Sequence, residues 1–122
     1  MTRTRHGVGP AVLAAAAVLV VLAGGCGGPS SVALADLARD HQAYEGERLE
    51  LHGVVVEFAG DEQANVPRHA VLQDPEAHRV ELVPFERAQP HVGSTVRVVG
   101  TFQFEPGRGR LLRIDSIEPA GE

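Results

Sequence analysis

The 122-residue chain has no lysine, no tryptophan, one cysteine, one methionine, one tyrosine and four phenylalanines. Each shortage excludes something. A single Cys cannot form an internal disulfide framework or a cysteine-based zinc site. Aromatics at 4 % leave little flat surface for stacking successive bases or a large planar cofactor. Acids are absent from the first 35 residues: all 16 Asp and Glu lie at or after Asp36, while Arg3 and Arg5 sit in the first five positions. Catalytic signatures are missing too. The sequence has no GxSxG, P-loop, GxGxxG or HExxH. The length allows one domain and excludes a large multidomain enzyme. Apolar residues at 43 % and charged ones at 22 % describe a globular body rather than a disordered chain.

What is present begins with an address. After the basic start comes an uninterrupted apolar run of 13 residues, 11–23, followed by Gly24-Gly25-Cys26. A charged start, a short apolar stretch and small residues are the pattern of a secretory signal. As a helix the run covers about 20 Å, short of the roughly 30 Å hydrocarbon core, so export fits better than spanning. Leu22-Ala23-Gly24-Gly25-Cys26 resembles the lipobox of bacterial lipoprotein precursors. Ala23 stands where that family favours Leu, with Leu22 one place further out. The resemblance implies a signal peptide over 1–25, removed on export, and acylation of Cys26, with the membrane as partner. Each buried CH₂ contributes about 0.8 kcal/mol, so two acyl chains anchor where one is marginal. Residues 26–31 then form a flexible tether, rich in Gly and Ser. Loss of Arg3 and Arg5 leaves nine Arg against 16 acids, so the formal −5 of the whole chain becomes −7.

The body reads as all-β with one N-terminal helix. Ser31 is placed to cap a helix, and Leu34, Leu37, Ala38 and His41 follow the spacing of one buried helical face. From residue 47 the period becomes two. Leu49 and Leu51 alternate with polar neighbours, and beyond Gly53 the apolar phase moves to Val54, Val56 and Phe58. That predicts one long strand over 47–58, bent or bulged at the glycine. Residues 59–68 read as a loop and 69–73 as a short strand. Asp74-Pro75 starts a turn, and 79–85 forms a third strand that Pro84 brings to its end. A connector over 86–93 precedes a fourth strand over 94–104, with Val96, Val98, Phe102 and Phe104 in phase and Gly100 at the bend. A turn over 105–110 and a fifth strand over 111–117 complete the body. Residues 32–119 make the domain and 120–122 a tail. Five strands with two bent at glycines suit a small closed barrel, which leaves no free sheet edge.

These segments resemble the OB-fold (oligonucleotide/oligosaccharide-binding) domains, specifically the exported bacterial ones related to the anticodon-binding type. The likeness rests on Tyr44-Glu45-Gly46-Glu47-Arg48-Leu49, Val71-Leu72-Gln73-Asp74-Pro75, Val80-Glu81-Leu82-Val83-Pro84-Phe85, Val92-Gly93-Ser94-Thr95-Val96 and Leu112-Arg113-Ile114-Asp115-Ser116-Ile117 in that order. Such barrels take ligands on the face of their second and third strands, between the first-to-second and fourth-to-fifth loops. Here those loops are 59–68, ending in Arg68, and 105–110, carrying Arg108 and Arg110. The guanidinium fork suits carboxylate or phosphate, so these three arginines are the candidate ligand-binding residues.

Other chemistries fare worse. A single-strand nucleic-acid binder needs a positive groove and aromatic platforms; a net −7 and scarce aromatics oppose both. His69 and His78 flank a hairpin, but no third or fourth ligand accompanies them, so no metal is expected. His41 reads as a packed histidine. The haem-carrying OB-type barrels of cytochrome maturation use a His near a Tyr, and Tyr44, the one tyrosine, precedes the barrel. No catalytic residue and no cofactor are expected. The expectation is a non-enzymatic, lipid-anchored binding or adaptor module on the outer face of a bacterial membrane, with an envelope ligand or protein partner. The alternative is single-stranded nucleic-acid or oligosaccharide binding through the strand-two/three face and its Arg-bearing loops.

Overall fold

The computed structural model describes residues 28–120. The expected signal peptide over 1–25 and the expected acylation site, Cys26, lie outside the described residues. Strands dominate: β1 (Ser30–Ser31), β2 (Arg48–Phe58), β3 (His69–Gln73), β4 (Arg79–Val83), β5 (Thr95–Glu105) and β6 (Gly109–Pro119). Two short helices, α1 (Leu34–Arg39) and α2 (Phe85–Ala88), each run into a 3₁₀ turn, His41–Tyr44 and Gln89–His91. The protein is all-β.

The strands pair in the order β1-β2-β3-β4-β6-β5, and an additional β2–β5 pairing closes β2 to β6 into a ring. The long strand β2 makes closure possible by serving two neighbours. Its first half pairs with β5 from Arg48 to Val54, and its second half pairs with β3 from Val54 to Phe58. Within the ring every pairing is antiparallel except β4–β6, a parallel seam of three residue pairs from Glu81↔Leu111 to Val83↔Arg113.

Gly53 and Gly100 occupy the tightest points. A Cβ on Gly53 would lie 2.7 Å from the Gln73 carbonyl oxygen, and one on Gly100 would lie 2.2 Å from that of Arg113. Crowding by partner backbone therefore selects glycine at both. Beside Gly100 the ladder slips, with Val99 opposite Ser116 and Gly100 opposite Ile114, so Asp115 is the extra residue of a β-bulge.

The barrel interior is apolar. Leu49, Leu51 and Val55 of β2, Leu72, Leu82, Val98, Phe102 and Leu112 are all essentially solvent-free, and Leu34 and Leu37 of α1 join the same cluster. No polar or charged residue is buried among the described residues. Leu37, fully buried, is what ties the helix to the barrel.

Four expectations change. The inward phase of β2 does not switch at Gly53: Leu49, Leu51 and Val55 all face the core, and Val54, Val56 and Phe58 lie on the outer face. The helix ends at Arg39 and starts from Ala33, with no side-chain cap; Ser31 instead pairs in parallel with Glu50 of β2. Ser30 and Ser31 are thus a sixth, two-residue strand rather than free tether. Finally, residues 85–88 are helical where a third strand and a connector were expected, because Pro84 follows β4 and opens a helical turn.

Candidate functional site

The outer face of β3 and β4 carries the candidate site. Alternation sends Ala70, Leu72, Val80 and Leu82 inward, leaving His69, Val71, Arg79 and Glu81 outside. Pairing then sets Val71, Glu81 and Leu111 side by side across three strands. Val71 and Leu111 are 6 % and 1 % exposed, so this strip of the outer face is apolar and sheltered except for one carboxylate.

Two segments flank it. On one side residues 59–68 fold back on themselves, with Asp61 and Val66 exchanging backbone hydrogen bonds of 2.8 Å. The Asp61 carboxylate accepts from the backbone N–H groups of Gln63 and Ala64 and fixes the tip. On the other side the β5–β6 turn brings Arg108 over the sheet. Its Nη2 donates to Glu81 Oε2 at 2.6 Å, and Glu105 stands 3.9 Å from Nη1. A groove of about 250 Å³ runs on one side of this ion pair, lined by His69, Val71, Arg79, Gly109 and Arg110. A second recess of about 440 Å³ runs on the other, against 64–67 and Gly107.

Charge is uneven along the groove. Arg79 Nε donates to Gln73 Oε1 at 2.6 Å, and its guanidinium lies 5.4 Å from the Phe58 ring centre. Arg110 Nε donates to the Arg79 carbonyl at 3.2 Å. Neither has a carboxylate partner among the described residues. Both are held at Nε, which leaves their terminal nitrogens for a ligand. His69 stacks on Phe58 and donates from Nδ1 to the Pro67 carbonyl at 3.0 Å. Three arginines against one glutamate give this groove a positive sign on an acidic protein, and oxyanions are the chemistry that arginine forks recognise.

Of the three arginines singled out in the sequence, Arg108 and Arg110 reach the groove and Arg68 does not. Arg68 pairs with Glu57 and its guanidinium lies 5.3 Å from the Phe85 ring centre. Sequence reasoning missed Arg79 and Glu81. Their signal was the alternation within RVELV, which puts Arg79 and Glu81 together on the solvent side of β4.

The histidines separate as well. His69 and His78 stand at opposite ends of the β3–β4 hairpin, since Gln73 pairs with Arg79. His78 donates to Asp74 instead, at 2.8 Å from Nδ1 to Oδ2. Asp74, Glu76 and His78 present ligand atoms within 4.8 Å of one another, a spacing open to a metal ion. Asp74 is already occupied as the organiser of its turn: Oδ1 accepts from the N–H groups of Glu76 and His78. Burial alone would raise its pKa, but the backbone and side-chain hydrogen bonds and charge of His78, with the Glu76 N–H, outweigh that and hold it below the ordinary 3.8. His41 packs in parallel on Phe104 with ring centres 4.1 Å apart, and its buried Nδ1 has no hydrogen-bond partner among the described residues.

Fold and site together define an all-β ring with an arginine-lined outer groove. Residues 64–120, slightly less than half of the chain, match the family described as "Protein of unknown function (DUF5818)". That stretch holds β3 to β6 and every groove residue named above. No curated protein matches the chain. No helix among the described residues is long and apolar enough to cross a membrane.

Proposed function

We propose that the protein is an exported, lipid-anchored OB-type binding module, held at the outer face of a bacterial membrane by acylated Cys26, that takes an anionic envelope ligand on the outer face of β3 and β4. The observation that carries the reading is the pair Arg79 and Arg110: two guanidiniums without carboxylate partners among the described residues, both lining one groove of a net-negative chain. The ring order and the parallel β4–β6 seam support the OB assignment, in which β3 and β4 are the ligand-bearing second and third barrel strands. The apolar run and Leu22-Ala23-Gly24-Gly25-Cys26 support the address. The module acts as a binder or adaptor: the groove presents arginine forks and a stacked imidazole, groups that hold an anion. Nucleic acid suits it poorly, because one histidine–phenylalanine stack offers no run of base platforms.

Site-specific photocrosslinking in intact bacterial cells fed labelled palmitate tests both parts. The full chain takes up label and sediments with membranes, and Cys26→Ala does neither. Crosslinkers at positions 69 and 110 capture a discrete adduct that a crosslinker at position 39, on α1, does not. Equal labelling of Cys26→Ala removes the anchor. Identical adducts from 39 and 110 remove the binding face.

A further inference from the structure

Resting on that binding face, the geometry points to Glu81 as the groove's own counter-anion: a built-in carboxylate that occupies Arg108 until an acidic glycan displaces it. Glu81 is the one charged group in the sheltered Val71–Glu81–Leu111 row, and its side chain is 15 % exposed. A carboxylate there is costly to desolvate and persists only with a cation against it. Arg108 supplies that cation from the solvent side, with its own side chain 48 % exposed. The pair is therefore asymmetric: the acid is fixed in the sheet and the base is free to exchange partners.

Position gives the asymmetry a consequence. His69, Glu81 and Arg108 line both the 250 Å³ groove and the 440 Å³ recess, so the ion pair stands as a strut between them. A chain occupying both sides must cross the strut and meet Arg108 there. Its oxyanions are attracted by Arg79 and Arg110 and repelled by Glu81. Binding then exchanges one Arg108 partner for another, and Glu81 sets how strong an anion is needed. An extended chain with an oxyanion on successive units fits two connected sites. A glycan fits better than a nucleic acid, since the groove offers hydrogen-bonding forks and a sheltered apolar floor rather than successive aromatic faces.

The test is calorimetric titration of the full chain in detergent with oligogalacturonate, a heparin-type sulfated oligosaccharide and oligothymidylate, at two salt concentrations. Glu81→Gln removes the competitor, so it binds one of the two glycans about tenfold more tightly than the parent, with steeper salt dependence. Arg110→Ala loses at least about that factor. Glu45→Gln changes net charge equally at a residue that lines neither the groove nor the recess, and its affinity stays within about twofold. Should Glu81→Gln not fold, Glu81→Leu continues the apolar row and gives the same readout. The preferred glycan distinguishes carboxylate from sulfate recognition. Parental binding with equal or weaker binding by Glu81→Gln overturns the role of Glu81 and leaves the binding face standing. No glycan binding by either protein overturns both. Tighter binding of oligothymidylate than of either glycan overturns the ligand class.

Discussion

At the scale of single residues, hydrogen bonds decide which charged groups are free to act. Asp74 accepts three of them within five residues, which makes the β3–β4 turn a local, self-organised unit. Its pKa lies below 3.8 in the folded chain, so its carboxylate contributes stability above that value. The contribution is lost as pH falls through the lowered folded pKa. Asp74→Asn is therefore less stable than the parent at neutral pH, and the gap between their melting temperatures closes in strong acid. Thermal unfolding at pH 7 and at pH 2 checks this; a gap that persists unchanged at pH 2 refutes it. Arg68 shows what a sequence conceals at this scale. It was legible as a loop cation, but its direction depends on a partner from another strand. Glu57 lies opposite Ala70 in the ladder, so the cation two residues before Ala70 finds a carboxylate beside it and turns from the groove. Arg108 and Arg110 have no such neighbour on their own hairpin except Glu105, and they stay over the sheet.

At the scale of elements, period-two patterning located β2, β3 and β5 well and misjudged which face of β2 is inside. Val54, Val55 and Val56 are all apolar, and a β-branched residue suits either face of a strand. The ladder breaks the tie: Val55 continues the phase of Leu49 and Leu51, leaving Val54 38 % exposed. Strand β1 could not be read at all, because two serines paired through backbone leave no side-chain pattern. The bulge at Asp115 was equally silent, and its support comes from elsewhere in the chain. Strand β4 stops pairing with β6 at Arg113, and from α2 the Arg87 guanidinium donates at 3.1 Å to each of the next two carbonyls, Ile114 and Asp115. The helix thus completes the seam that the strand leaves short. Arg87→Ala leaves both carbonyls to solvent and costs about 1–2 kcal/mol. In a domain of this size that lowers the melting temperature by roughly 4–8 °C per kcal/mol. Amide exchange quickens along 113–116 before it does in β3. An unchanged melting temperature refutes the seam.

At the scale of the whole molecule, the all-β class was legible because five runs of alternating residues separated by turn residues leave few other ways to bury a core. The ring was only partly legible. Long strands with internal glycines imply bending, but which strands share an edge depends on β2 pairing with two partners along its length. The groove follows from that ring. Its arginines come from β4 and from the β5–β6 hairpin, which meet only because β4 and β6 pair in parallel. Local patterning specifies each strand's faces, whereas the seam that assembles the site is a long-range consequence of closure. That is why Arg79 and Glu81 were found in the structure and Arg108 and Arg110 in the loop sequence. The binding face is the central claim, and amide chemical-shift mapping of the isotope-labelled full chain during titration with oligogalacturonate or the sulfated oligosaccharide tests it most directly. The account predicts saturable shifts concentrated at His69, Val71, Arg79, Glu81 and Arg110, lost in Arg79→Ala/Arg110→Ala. Shifts centred instead on the outer face around Val54 and Pro75, or none with either glycan, would contradict it.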